Sequence, residues 1–339
     1  MVDRWDVQWA TSSRADSALV TGVVPTTVHG RPCVVSAGYD GTAWVRDLFT
    51  GEPVTSTRIT GEWGGGVEAL GLMAGPDDGP MVISANSSYV VTCWDPESGH
   101  VSRLGEYGSG FPSAVATTKQ GWRSFVVTAG DGRVEVWDGG GVEIACAHVS
   151  QRRGETLLTR ALATAALDGE QVVIAGASDG TLRVWGFPDV LKTSPDPDNF
   201  LFPWTLREIT VSRLPASIGA VAMVEVDGRT LVLAAVDRWL RLADPVSGDL
   251  VGLPLSGHTD SITTMSTGVV RGRPVAVTGS TDGTVCAWPL DGGLQIDPVI
   301  VRRLPAAVNA AALTSDDRLA VGFGADVAVL AATDFSSSG

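Results

Sequence analysis

Short apolar runs alternate with turn residues along this chain, and the clearest stretch lies between Val275 and Trp288. Val275-Ala276-Val277 and Val285-Cys286-Ala287-Trp288 are of strand length, whereas a helix would need a longer run with a 3.6-residue period. Asp282-Gly283 between them suits a tight turn, because Gly accepts positive φ and Asp can bond its own backbone two residues on. The pattern predicts a β-hairpin. The Trp288 slot recurs at Arg46, Trp94, Trp137, Trp185, Ala243 and Leu330, at intervals of 48, 43, 48, 58, 45 and 42 residues, close to the roughly 40 to 45 of a four-stranded unit. Asp40-Gly41, Asp131-Gly132 and Asp179-Gly180 repeat the turn intact, Asp237-Arg238 keeps part of it, and Ser88-Tyr89 and Gly324-Ala325 are eroded. Seven units are expected.

Gly257-His258-Thr259-Asp260-Ser261-Ile262, followed by Val277 to Trp288, resembles a repeat of the WD40 family. The resemblance implies an all-β fold: a seven-bladed β-propeller of four-stranded antiparallel blades, closed by the N-terminal strand completing the last blade. It also implies a buried structural tetrad of His258, Thr278, Asp282 and Trp288. Asp282 would fix the imidazole of His258, whose other nitrogen meets the Thr278 hydroxyl, which accepts from the Trp288 indole N–H. His and Asp also make acid–base couples, but the repeat context favours the structural role. Glu62 and Glu106 stand at the His position of two other blades, and His148 is a candidate in a further one. A Glu accepts a hydroxyl proton but cannot also donate, so those blades are expected to lean on apolar packing.

The alternation in Trp5-Asp6-Val7-Gln8-Trp9 suits a strand, and Asp6 to Ala10 is assigned to ring closure, which removes an open sheet edge. One domain over residues 1–339 is expected, with an irregular insertion at about 190–204 and a frayed tail at about 334–339. The insertion begins polar and proline-rich, ends in Phe200, Phe202 and Trp204, and precedes an outer strand of blade 4 from Thr205 to Val211. Its aromatics either form a docking patch or fold back over the outer edge of blade 4.

Charge narrows the partners. The net charge of −14 and pI near 4.6 argue against nucleic acid or an anionic membrane, which need clustered basic residues. With only Lys119 and Lys192 as lysines, and abundant Ala, Gly and Val, the composition suggests a bacterial source. Cys33, Cys93, Cys146 and Cys286 fall in different blades within apolar runs, where a reduced Cys behaves as a small hydrophobe. No C-x-x-C or Cys/His cluster suggests a metal, and no cofactor is expected. The N-terminus lacks a signal-peptide pattern and no run of about 18 apolar residues occurs, so a cytoplasmic protein is expected.

In such a propeller, the loops from each outer strand to the next inner strand share one face, the top, with the turns before the Trp strand. Aligned inner-strand starts place Ala18, Glu68, Ser113, Arg160, Gly219, Thr263 and Asn309 around the channel mouth. Nearby loops supply Tyr39, Trp63, Tyr107, Phe111, Arg152, Arg153, Arg238 and Trp239. Aromatics and Arg on one rim match the composition of binding hot spots. P-loop, H-E-x-x-H, G-x-S-x-G and EF-hand patterns are missing from the sequence. The first expectation is a non-catalytic scaffold, monomeric, that binds protein or peptide partners on the top face and channel mouth. The alternative is a propeller enzyme or small-molecule binder at the same mouth, and Glu68 has no carboxylate or His companion in the mouth set to serve it.

Overall fold

Strands buried on both faces need apolar residues at consecutive positions, and the second strand of each unit has them. Arg273–Ser280 is buried continuously from Val275 to Ser280, and Arg31–Gly38 from Cys33 to Gly38. The computed structural model describes residues 4–12, 18–75, 79–107, 111–121, 123–149, 158–187, 204–294 and 296–333. Among these the strands form seven sheets, antiparallel but for one short added strand, one per predicted unit, hereafter blades 1 to 7 in chain order. Blade 6 shows the plan: Ile262–Val270, Arg273–Ser280, Thr284–Pro289 and Val299–Arg303, from the inside outwards. The inner strands, Val20–Val28, Val67–Ala74, Ala114–Gln120, Ala161–Leu167, Ile218–Val226, Ile262–Val270 and Val308–Leu313, each pack against the next, and the last packs against the first. The ring is closed.

Closure uses the N-terminal strand. Arg4–Ala10 pairs antiparallel with Asp326–Thr333, Trp5 facing Ala332 and Trp9 facing Val329. Trp5 is buried in the core shared by blades 6 and 7, and the Trp9 indole donates to the Leu48 carbonyl at 2.9 Å, tying blade 7 to blade 1. Apolar side chains fill the layer between each pair of blades, which is where burial stabilises this fold.

At the top ends of the inner strands the ladder slips by one residue, leaving Thr21, Glu68, Gly219, Thr263 and Asn309 as bulges. Ser113 and Arg160 hold the matching places before Ala114 and Ala161. Three of the seven staple neighbouring blades. Thr21 Oγ1 donates to the Val67 carbonyl at 2.6 Å, Ser113 Oγ to that of Thr159 at 2.9 Å, and Thr263 Oγ1 to that of Val308. Blade 1 thus brings Thr21 to the mouth rather than Ala18, which lies in the connection before Val20, the first residue of the strand.

The end of the insertion covers a different edge from the one expected. Trp204–Thr205 pairs parallel with Glu143–His148, so blade 3 gains a fifth strand and blade 4 takes Arg207–Arg213 as its outer strand. The amide row left open on blade 3 offers a ready partner to the returning chain, and the Leu206 N–H donates to the Cys146 carbonyl at 3.1 Å. Trp204 itself is exposed; Phe200 and Phe202 lie outside the described residues. All four cysteines are free, and burial pushes the Cys93 and Cys286 thiols up to about 11.

Candidate functional site

The Asp282-Gly283 turn lies beneath the loop that enters blade 6, and the His258 side chain fills the gap between them. The Trp288 indole N–H donates to Thr278 Oγ1 at 2.8 Å, and Thr278 Oγ1 lies 2.7 Å from His258 Nε2. On the other side of the ring, Nδ1 is 2.8 Å from the Thr284 hydroxyl, which donates to Asp282 Oδ1, whereas Asp282 Oδ2 stands 3.6 Å from Nδ1. Thr284 therefore relays between His258 and Asp282, a fifth member absent from the tetrad read in the sequence. With the proton on Nδ1, one direction satisfies every donor: Trp288 to Thr278, Thr278 to His258, His258 to Thr284, and Thr284 to Asp282.

Burial lowers the His258 pKa, partly offset by Asp282, so the ring is neutral. Burial alone would raise Asp282, but the Thr284 hydroxyl and the Thr259 N–H outweigh it and hold the carboxyl well below its usual range. The His258 side chain is fully buried, with no path to a substrate. These residues hold a blade together.

Other blades fill the same slots differently. In blade 3 the Trp137 indole donates to Thr128 Oγ1 at 2.9 Å, as in blade 6, but Tyr107 caps the turn from above, its hydroxyl donating to the Gly130 carbonyl at 2.9 Å and reaching that of Arg133. Arg133 lies 2.9 Å from the fully buried Glu135 and 2.8 Å from Glu143. In blade 2, Ser84 donates to Asn86 at 2.9 Å and lies 2.6 Å from Thr92, while the buried Trp94 indole nitrogen makes no hydrogen bond. Glu62, Glu106 and His148 do not fill the His position. Glu106 sits on an outer strand paired with Arg103, His148 is an exposed strand residue, and Glu62 is exposed in a 3-10 turn. Counting back from Trp missed the register. The Tyr107 N–H bonds the Tyr89 carbonyl and the Ile59 N–H that of Gly41, which puts Thr60 where His258 stands in blade 6.

Tyr107, expected on the rim, is 3 % exposed, and burial drives its phenol pKa far up. An aromatic ring at a blade edge goes inside when its hydroxyl can reach carbonyl oxygens there. Tyr39, in contrast, is 49 % exposed and donates to Glu68 Oε2 at 3.3 Å. Burial raises the Glu68 pKa, opposed by the Tyr39 bond and by the charge of Arg160; burial and the Glu68 charge raise Tyr39. Tyr39, Glu68 and Arg160 thus share one electrostatic neighbourhood at the mouth. Asn309 is half-buried there, and its Nδ2 makes no hydrogen bond.

Tyr39 packs over Gly66, and the loop holding Trp63 is tied to blade 2 by Gly66 N–H to Ser87 Oγ at 2.8 Å and Ser88 Oγ to the Gly64 carbonyl at 3.1 Å. The Trp63 ring lies back against Gly61, half-buried in its own loop. Beyond it, Tyr89 and Phe111 stack with centroids 4.6 Å apart, both exposed. An aromatic arc therefore crosses the tops of blades 1 to 3. Arg238 lies over Trp239 on blade 5, 5.4 Å from the ring centroid, as a separate pair. Arg152 and Arg153 lie outside the described residues.

Tyr89 was not among the residues singled out from sequence, although a signal existed. It occupies the turn slot held by Gly41, Gly132, Gly180 and Gly283, and it keeps a φ of 66°, strained for a bulky side chain. An aromatic at that slot has nowhere to point but outward. On the opposite face a cleft of about 610 Å³ opens between blades 7, 1 and 2, walled by Pro25, Leu48, Met73 and Leu313; it is remote from the mouth. Among the described residues, no three His, Cys, Asp or Glu side chains come together as a metal site, and no helix is long and apolar enough to cross a membrane.

This architecture is that of a seven-bladed β-propeller. Residues 250–289 match the WD40 family model, described as WD domain, G-beta repeat. The match begins on the outer strand of blade 5 and runs through three strands of blade 6, so the sequence repeat straddles two blades. No curated protein matches the chain.

Proposed function

We propose that the chain is a non-catalytic scaffold whose top face, on blades 1 to 3 and at the adjoining channel mouth, docks a protein or peptide. WD40 propellers generally serve as interaction scaffolds. The observation that carries the reading to this face is the exposed arc of Tyr39, Tyr89 and Phe111 beside the half-buried Glu68. Large, rigid aromatics bury area at low entropic cost, and isolated exposed apolar residues are common but adjoining ones mark interfaces. The strain kept at Tyr89 supports the same reading, because a Gly there would relieve it. The acidic balance favours protein over nucleic acid, and a monomer in the cytoplasm is the expected setting.

The test compares retention of binding partners by the native chain and by a Tyr39→Ala, Tyr89→Ala, Phe111→Ala variant of equal folded stability. A partner held by the first and lost by the second is expected; equal retention sinks the proposal.

A further inference from the structure

Glu68 is in an unusual position for a surface carboxylate. It is half-buried at the mouth, one oxygen accepts from Tyr39 at 3.3 Å, and no ion pair joins it to Arg160, although the Arg160 charge is felt at both groups. The mouth positions around it differ in kind. Thr21 and Ser113, on the flanking blades, spend their hydroxyls on the ring staples, whereas Glu68, Arg160 and Asn309 are not used that way. What remains is a carboxylate beside an exposed phenol ring, and a guanidinium whose charge reaches both.

We propose that the mouth recognises a linear peptide segment by a Lys or Arg side chain seated on Glu68, with an acidic residue of the same segment directed to Arg160. This rests on the top-face reading above. Charge complementarity supports the basic residue: a partly desolvated carboxylate gains most from a cation that replaces lost hydration. The neighbouring Tyr39 ring favours it as well, since a cation over its face meets the negative side of the ring. An acidic or neutral side chain at Glu68 would leave its charge unmatched.

The probe is a display library of random short linear peptides, selected on the immobilised full chain and on Glu68→Gln, Glu68→Asp and Tyr89→Ala/Phe111→Ala variants of matched folded stability. Expected is enrichment of Lys or Arg at one position on the native chain, kept on Glu68→Asp and lost on Glu68→Gln. For the best selected peptide, Glu68→Gln is expected to weaken affinity by about tenfold to a hundredfold. Binding should also weaken as pH falls and Glu68 takes up a proton, beginning above the ordinary Glu range because its pKa is raised. Selected peptides with no basic preference, but dependent on Tyr89 and Phe111, overturn this inference and leave the docking face standing. Failure to select any peptide overturns it also, while the partner-retention test still judges the face. Displacement by free arginine at the same concentration as by peptide marks a small-molecule site and overturns it too.

Discussion

Blades 6 and 3 begin from the same bond and part above it. In each, a tryptophan indole N–H donates to a threonine hydroxyl on the neighbouring strand, Trp288 to Thr278 and Trp137 to Thr128. Blade 6 continues with a neutral imidazole, a relaying hydroxyl and a carboxylate at the turn. In blade 3, Arg133 stands in the place of Thr284 and Glu135 in that of Cys286, with the Tyr107 phenol closing on backbone carbonyls. The fold demands that the turn and the incoming loop be joined by satisfied polar groups; it does not demand one set of residues. The two solutions differ in how they fail.

Blade 3 carries a charge into the interior, so it should fail hardest. Arg133→Ala removes the cation beside the fully buried Glu135 and is expected to cost about 3 kcal/mol by chemical denaturation. Restoration of most of that stability by Arg133→Met with Glu135→Leu would sharpen the comparison; a negligible loss on Arg133→Ala would break it. Next comes the shared hydroxyl. Thr278→Val strips partners from both Trp288 and His258 and should cost about 2–4 kcal/mol, whereas Thr128→Val strips one from Trp137 and should cost about 1–2 kcal/mol. Equal losses would show that the upper half of the tetrad carries no weight.

Acid should act through blade 6. His258 has a folded pKa below its ordinary 6.5, so the unfolded chain binds the proton more readily, and stability is full above 6.5 and declines as pH falls below it. Asp282, also lowered, adds a second loss of the same sign below its ordinary 3.8. His258→Gln, followed by thermal melts across this range, should flatten the first decline and leave the second. The smallest effect expected is a gain: Tyr89→Gly relieves a positive φ and should stabilise blade 2 by about 1 kcal/mol while weakening partner retention.

The blade count and ring closure could be read from sequence because Asp-Gly turns and Trp slots depend on local backbone geometry, which recurs with the repeat. Glu68, Arg160 and Asn309 fell at the mouth for the same reason. What escaped depends on contacts between distant segments. Thr21 replaced Ala18 because of a bulge, Thr284 entered the tetrad through side-chain reach, and Trp204 joined blade 3 rather than blade 4 because an open edge lay in its path. Tyr107 and Tyr89 are both tyrosines at blade edges, one 3 % and the other 40 % exposed. Carbonyl oxygens lie within reach of the Tyr107 hydroxyl, whereas Tyr89 stands on a positive-φ turn and stacks on Phe111.

The most direct test of the docking face places a photo-crosslinking benzoyl-phenylalanine at position 89 and, in a second protein, at Ile300 on the exposed outer strand of blade 6. Irradiation in lysate is predicted to give discrete crosslinked bands from position 89 and none from position 300. Bands from position 300 alone, or the same bands from both, would contradict a partner seated on the arc of blades 1 to 3.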